Sequence, residues 1–359
     1  MKLKKLFAGI LAVAMMATMA APAFAATSTG KTNDVTVTNN KFNIVKNYTL
    51  TNEGTESPAE TFKLYQVSKS GTNMGKIYNG TAPDLIGETV DGKFIVGTVS
   101  FDKADTTRSK NFEIELPNYT GVGVFTYTLK ELTGDTKGVT YDPATFVVTV
   151  YVFQGETGLE TKVTVHDASV AQSKENKNKL DSIDNTYSAG TLTVTKVVKG
   201  SLGDKSKDNK FTMTVTFEKP ATGTVSSEII MKTNGTETER FIPAWDANGK
   251  YTKTIEVAHE DNITFVNIPY GVTYTVVEND YTGEEYGYQA ARYAIDDASA
   301  DGVKNTIDSA NETVTVTNEK EGTVDTGVIL DNAPYIALMM VVVAGAAVMI
   351  IKKRRHFED

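Results

Sequence analysis

Runs in which every second side chain is apolar recur along this chain of 359 residues and confine it to β-structure. Phe211-Thr212-Met213-Thr214-Val215-Thr216-Phe217 and Thr313-Val314-Thr315-Val316-Thr317 alternate strictly, and residues 145 to 153 form a longer run of the same kind. A period of two puts one face of a strand in a core and the other in solvent, and the Thr and Val that fill these runs favour pleated backbone. Gly, Asn and Asp turns separate the runs, and no long segment carries helical spacing. The expected fold is all-β, built as antiparallel sandwiches. Cysteine is absent, so no disulfide braces it, and the length suffices for two domains with real cores.

Both ends read as processing signals. Lys2, Lys4 and Lys5 precede the apolar stretch Leu6 to Met19, and Ala23-Phe24-Ala25 offers small residues at the two inspected positions, so residues 1–25 are expected to be a cleaved signal peptide. At the other end an apolar run from Tyr335 to Ile351 is closed by Lys352-Lys353-Arg354-Arg355. Four cations cannot cross a bilayer and would halt the translocating chain there, with residues 335–351 as the transmembrane segment. Ahead of it stands Thr323-Val324-Asp325-Thr326-Gly327. The whole of 322–359 resembles the cell-wall sorting signal of Gram-positive bacteria, with Thr323 and Val324 in place of the usual Leu and Pro. That resemblance implies cleavage by a sortase between Thr326 and Gly327; a plain single-pass tail anchor is the other reading.

Loss of both ends would take the net charge from −9 to −13, because seven cations and three acids leave with them. A chain of that sign does not seek nucleic acid or anionic lipid.

A repeat organises the strands. Near the start of each half a strand carries Lys (FNIVKNYTL and TLTVTKVVKG), later one ends in Glu, and near the end one carries Asn (SIDNTY and TVTVTNEK). Lys46 precedes Glu131 by 85 residues and Lys196 precedes Glu278 by 82. Strand parity sets Lys46 on a face with Phe42 and Ile44, Lys196 with Leu192 and Val194, Glu131 with Phe125, Tyr127 and Leu129, and Glu278 with Tyr274 and Val276. Asn318 shares a face with Val314 and Val316, and Asn185 with Ile183. All six are expected to point inward. One inward Lys, Glu or Asn is costly in a dry core, and three per domain suggests that they meet.

Should they meet, burial favours a neutral, nucleophilic Lys and a protonated Glu. The acid would hydrogen-bond the Asn carbonyl, sharpen its carbon as an electrophile and shuttle protons as ammonia leaves. The product is a Lys–Asn isopeptide bond. A buried ion pair hydrogen-bonded to Asn, or Lys and Glu reaching water from strand ends, are the competing readings.

The segments IVKNYTL, YTLKE with GVTYD following, IDNTYSAGTLTVTK, GVTYTVVENDY and TVTNEK resemble, in the same order, the two-domain backbone pilins of the streptococcal T-antigen type. The resemblance implies two tandem immunoglobulin-like (CnaB-like) β-sandwich domains, at 26–187 and 188–321, each closed by an autocatalytic isopeptide bond. It implies Lys46, Glu131 and Asn185 as the first triad and Lys196, Glu278 and Asn318 as the second, with Glu131 and Glu278 the promoting acids. It further implies the shaft of a sortase-assembled pilus on the Gram-positive cell surface, made from a membrane-held precursor. The implied partners are sortase, other copies of the chain, minor pilins and peptidoglycan. In the resembled pilins the intermolecular Lys lies in the region of Lys174, Lys177 and Lys179; Lys179 and then Lys177 are the choices here.

A wall-anchored adhesin or minor pilin that binds a host or surface ligand is the alternative function. Two domains without a large insert favour a shaft. No enzyme site is expected beyond the single-turnover bond formation: His166, His259 and His356 are isolated, and no nucleotide loop or nucleophile elbow occurs. No cofactor and no metal are expected either. The acidic group Asp296, Asp297 and Asp301 lacks full calcium-loop spacing and reads as a solvated turn.

Overall fold

The computed structural model describes residues 34–73, 82–168, 182–295, 298–300 and 304–322, with single helical positions at Tyr335, Leu338, Met339, Val341 and Val342. The expected signal peptide, Lys174, Lys177, Lys179, Asp296, Asp297, Asp301, the Thr326-Gly327 junction and most of the span at 335–351 lie outside the described residues. No helix among the described residues is long and apolar enough to cross a membrane.

The first half of the chain supplies β1 (Asp34–Val35), β2 (Lys41–Leu50), β3 (Glu60–Asn73), β4 (Glu88–Val90), β5 (Lys93–Phe101), β6 (Ser109–Glu115), β7 (Gly123–Glu131), β8 (Val139–Thr140), β9 (Thr145–Gln154), β10 (Leu159–Asp167) and β11 (Ile183–Tyr187). The second half supplies β12 (Ala189–Lys199), β13 (Lys210–Glu218), β14 (Ile229–Thr233), β15 (Thr236–Phe241), β16 (Lys250–Ala258), β17 (Asn262–Pro269), β18 (Thr273–Glu278), β19 (Arg292–Ile295), β20 (Ala298–Ala300), β21 (Lys304–Thr306) and β22 (Asn311–Glu319).

These strands make two tandem β-sandwiches. In the first, a sheet in the order β1-β10-β9-β7-β3-β5-β4 faces one in the order β6-β2-β11-β8. In the second, β15-β14-β17-β12-β22-β19-β20 faces β16-β13-β18-β21. Alternation explains the cores: along β7 and β13 every second side chain is buried, which puts Phe125, Tyr127 and Leu129 in one core and Phe211, Met213, Val215 and Phe217 in the other.

Most pairings are antiparallel. Among the described residues, two parallel pairs within the sandwiches, β2 with β11 and β12 with β22, join the first long strand of each sandwich to its last. A parallel pair cannot be closed by a tight turn and needs the intervening chain as its crossover. Here the crossover is nearly the whole domain.

The sandwiches meet end to end through polar contacts. Asn52 Nδ2 donates to the Ala189 carbonyl (2.7 Å) and to Tyr270 Oη (2.9 Å), and the Glu56 N–H donates to Asn267 Oδ1 (3.0 Å). Asn267 is 1% exposed and holds φ at 72°, a left-handed conformation that Asn tolerates better than most residues. Across the same junction Arg240 pairs with Glu56 at 3.0 Å, and Lys103 pairs with Glu228 and Glu56. Gly138, at φ +83°, lies so close to the connecting segment that an added Cβ would come within 2.6 Å of the Ser188 carbonyl. Only Gly meets both demands there.

Candidate functional site: two buried Lys–Glu–Asn clusters

The parallel strand pairs set the geometry of both clusters. Lys46 lies opposite Ile183 and Asn185 opposite Tyr48. Lys196 lies opposite Val316 and Asn318 opposite Val198. In each domain the Asn is therefore two residues beyond the register partner of the Lys, which puts both on one face as diagonal neighbours. The Glu comes from across the sandwich: Glu131 ends β7 in the facing seven-stranded sheet, and Glu278 ends β18 in the facing four-stranded sheet. The repeat thus exchanges the two sheets. Lys and Asn sit in the smaller sheet of the first sandwich and in the larger sheet of the second.

In the first cluster Lys46 is fully buried, Asn185 is 1% exposed and Glu131 is 5% exposed. Lys46 Nζ stands 2.7 Å from Glu131 Oε1, yet neither atom makes an aligned hydrogen bond. The amine also lies 4.4 Å above the Phe62 ring. Asn185 Nδ2 donates to Glu131 Oε2 at 2.8 Å. One carboxyl group therefore touches the amine with one oxygen and the amide nitrogen with the other. The Asp142 N–H points at the same place, donating to Glu131 Oε2 (2.9 Å) and to Asn185 Oδ1 (3.2 Å). Burial pushes the Lys46 pKa down, opposed by the neighbouring Glu131 charge.

In the second cluster Lys196 is fully buried and Asn318 is 1% exposed. Lys196 Nζ donates to Glu278 Oε1 (2.6 Å) and to Asn318 Oδ1, and sits 3.9 Å above the Phe211 ring. Burial lowers the Lys196 pKa and raises that of Glu278, each opposed by the other partner. Both shifts move the pair toward a neutral amine and a neutral acid. The Glu278 backbone is itself tied down, its N–H donating to Tyr293 Oη at 2.9 Å.

All six residues singled out in the sequence thus fall into two compact groups, one per sandwich. One detail differs from expectation in both clusters, since the acid does not donate to the amide oxygen: Glu131 accepts from the amide nitrogen while the Asp142 N–H meets the Asn185 oxygen, and the Asn318 oxygen accepts from Lys196 Nζ. Sequence reading missed Asp142, Tyr293 and the two rings. It also missed Glu312, a 2% exposed carboxylate that accepts from Ser309 Oγ (2.6 Å) and Asn305 Nδ2 (3.3 Å). Among the described residues no group of His and acidic side chains is placed to hold a metal ion.

Comparison with known proteins follows the same division. Residues 42–188 match the family described as the Spy0128-like isopeptide containing domain, and residues 190–320 match a domain of unknown function, DUF7601. A pilin of Streptococcus pyogenes serotype M1 is 30% identical over 245 residues, which span 66% of this chain and 69% of that protein. The solved major pilin from Streptococcus pyogenes aligns with 80% of this chain and 100% of its own, with a TM-score of 0.50 and 22% identity. The T-13 major pilin of the same species aligns over 79% of this chain and 98% of its own, with a TM-score of 0.50 and 19% identity. At those identities the two structures speak for the fold.

Proposed function

We propose, from the premise that this chain belongs to the pilin family, that it is the shaft subunit of a covalent pilus whose two domains each close themselves with a Lys–Asn isopeptide bond. The observation that carries the reading is the placement of a buried amine, a carboxyl group and a carboxamide at one point between the first and last strands of each sandwich.

The chemistry follows from the contacts. A Lys deprived of water is held less firmly as an ammonium and becomes a nucleophile. It adds to Cγ of the Asn, the Cγ–Nδ2 bond breaks, and ammonia leaves. The carboxyl group bridges both nitrogens in the first domain, so it takes a proton from Nζ and delivers one to Nδ2, ending in the state in which it began. Lys46–Asn185 and Lys196–Asn318 are the proposed links, with Glu131 and Glu278 as the acids. The reaction turns over once, so the protein is structural and not an enzyme.

Parallel pairing gives the bonds their purpose. Force entering the second domain along β12 and leaving at the far end of β22 loads that parallel ladder in shear, while β11, which takes the load from Lys179 or Lys177, is tied to β2 by the same kind of parallel pair. A covalent tie between those strands takes the load before the hydrogen bonds do. The two ties nearly meet, because Asn185 and Lys196 are only 11 residues apart, and Asn318 stands eight residues before Thr326. Tension therefore bypasses most of both cores. Export through residues 1–25, a membrane-held precursor, sortase cleavage at Thr326, transfer to Lys179 or Lys177 of the next copy, and final attachment to peptidoglycan complete the reading.

Substituting both Lys177 and Lys179 by Arg keeps the charge but removes a competent nucleophile. On a denaturing gel of wall extract the wild type is expected to give a high-mass ladder, and the double variant wall-linked monomer. Thr326→Ala is expected to abolish both. A ladder that persists in the double variant places the link on another Lys, and a single wall-linked band in the wild type favours the adhesin.

A further inference from the structure

We infer that the backbone N–H of Asp142 is the oxyanion donor of the first-domain reaction, and that the Asp142 side chain aims it. The inference rests on the bond-forming reading above and deepens it. When Lys46 Nζ adds to Asn185 Cγ, the carbonyl electron pair moves onto Oδ1, and negative charge builds on that atom. The Asp142 N–H already points there at 3.2 Å while also touching Glu131 Oε2 at 2.9 Å. A fixed donor in a water-excluded site stabilises developing charge without reorganising, and is worth more there than in water. As the tetrahedral centre collapses, the Oδ1 charge returns to a C=O bond, Nδ2 departs as ammonia with the proton passed through Glu131, and the new Nζ–Cγ amide remains.

The same N–H sets the orientation of the amide. Turning Asn185 over would set its NH2 against the Asp142 N–H, donor against donor in a buried place. The observed orientation presents the nitrogen that must leave to the carboxyl group that must protonate it.

The local chain explains why the N–H is held there. Asp142 Oδ1 accepts the Ala144 N–H at 2.8 Å, an Asx turn that folds the segment back on itself. Pro143 lies between them, with φ fixed and no N–H to compete. In the second domain the corresponding oxygen accepts Lys196 Nζ, and the Tyr293 hydroxyl holds the Glu278 backbone. That domain therefore serves as an internal control.

The test is a timed cell-free synthesis of the whole chain, quenched in acid and digested, with the two cross-linked peptides counted by mass spectrometry. Asp142→Pro removes the N–H. It is expected to slow formation of the Lys46–Asn185 peptide about 100-fold while the Lys196–Asn318 peptide forms at the wild-type rate. Asp142→Ala keeps the N–H but loses the Asx turn, and is expected to slow the first link about 10-fold. Asp142→Asn retains the turn acceptor and is expected to restore the rate, which a purely structural loss would not reproduce with the second domain unaltered. If Asp142→Pro does not fold, the Ala and Asn pair decides. Wild-type rates in Asp142→Pro, or in Asp142→Ala, overturn the inference. Absence of the Lys46–Asn185 peptide from the wild type overturns the underlying reading as well, so the two failures are distinguishable.

Discussion

Glu278→Ala is expected to leave the second domain folded and unlinked, so that the mass deficit of the processed chain falls from about 34 Da to about 17 Da, one ammonia instead of two. Glu278 Oε1 is 2.6 Å from Lys196 Nζ, which itself reaches Asn318 Oδ1, so this carboxyl group is the one in place to move the protons. A positioned acid–base group accounts for about 10² to 10⁴ in rate, enough to leave the second link unmade over hours. The acid is not consumed, so its loss removes the reaction without removing either reactant. Glu278→Gln, which keeps the volume and a hydrogen-bonding tip, is expected to behave the same way. A normal deficit in either variant would assign the proton transfer to another residue.

Lys196→Ala is expected to cost the second domain the most stability of any single change. It deletes one end of a link between residues 122 apart in sequence. A cross-link over such a span restricts the unfolded chain by roughly 5 kcal/mol in the loop-entropy account used for disulfides. For a domain of this size that is a fall of about 15 to 20 °C in melting temperature. In the linked wild type Lys196 is already an amide nitrogen, so Glu278 has no cation beside it in either protein. Before the link forms burial raises the Glu278 pKa and the Lys196 ammonium opposes that rise; bond formation and the substitution both remove the ammonium, so burial acts unopposed by it in both proteins. A folded pKa above the unfolded value means the folded state binds the proton first. Stability is then gained as pH falls through the folded pKa, is fully present below the unfolded value near 4.5, and is lost as pH rises. Melting followed against pH should therefore show both proteins gaining stability in acid, with the large gap between them present across the range. A drop of only a few degrees, or a gap that vanishes in acid, contradicts this account.

Much of the architecture was legible in the sequence because a period of two leaves few choices. Leu192, Val194 and Lys196, or Val314, Val316 and Asn318, could share a face only in a strand, and the recurrence of Lys, Glu and Asn in both halves marked where to look. The exchange of sheets between the domains was not legible. Parity says which way Lys46 points, but not which strands join its sheet, since that depends on pairings such as β2 with β11 between residues more than a hundred positions apart. Asp142 escaped notice for a different reason. Its contribution to the amide is a main-chain N–H, which every residue but Pro carries, so no side-chain pattern announces it. The junction of Glu56, Lys103, Glu228 and Arg240 was hidden likewise. Each charge alone reads as a solvated surface group, and only the end-to-end stacking of the sandwiches brings them together.

The most direct test is the intact mass of the folded, processed protein together with its tryptic map. Two self-made bonds predict a deficit of about 34 Da against the sequence, carried by one peptide pair joining Lys46 to Asn185 and another joining Lys196 to Asn318. A protein at its full sequence mass, with Lys46, Asn185, Lys196 and Asn318 all recovered in linear peptides, would contradict the account.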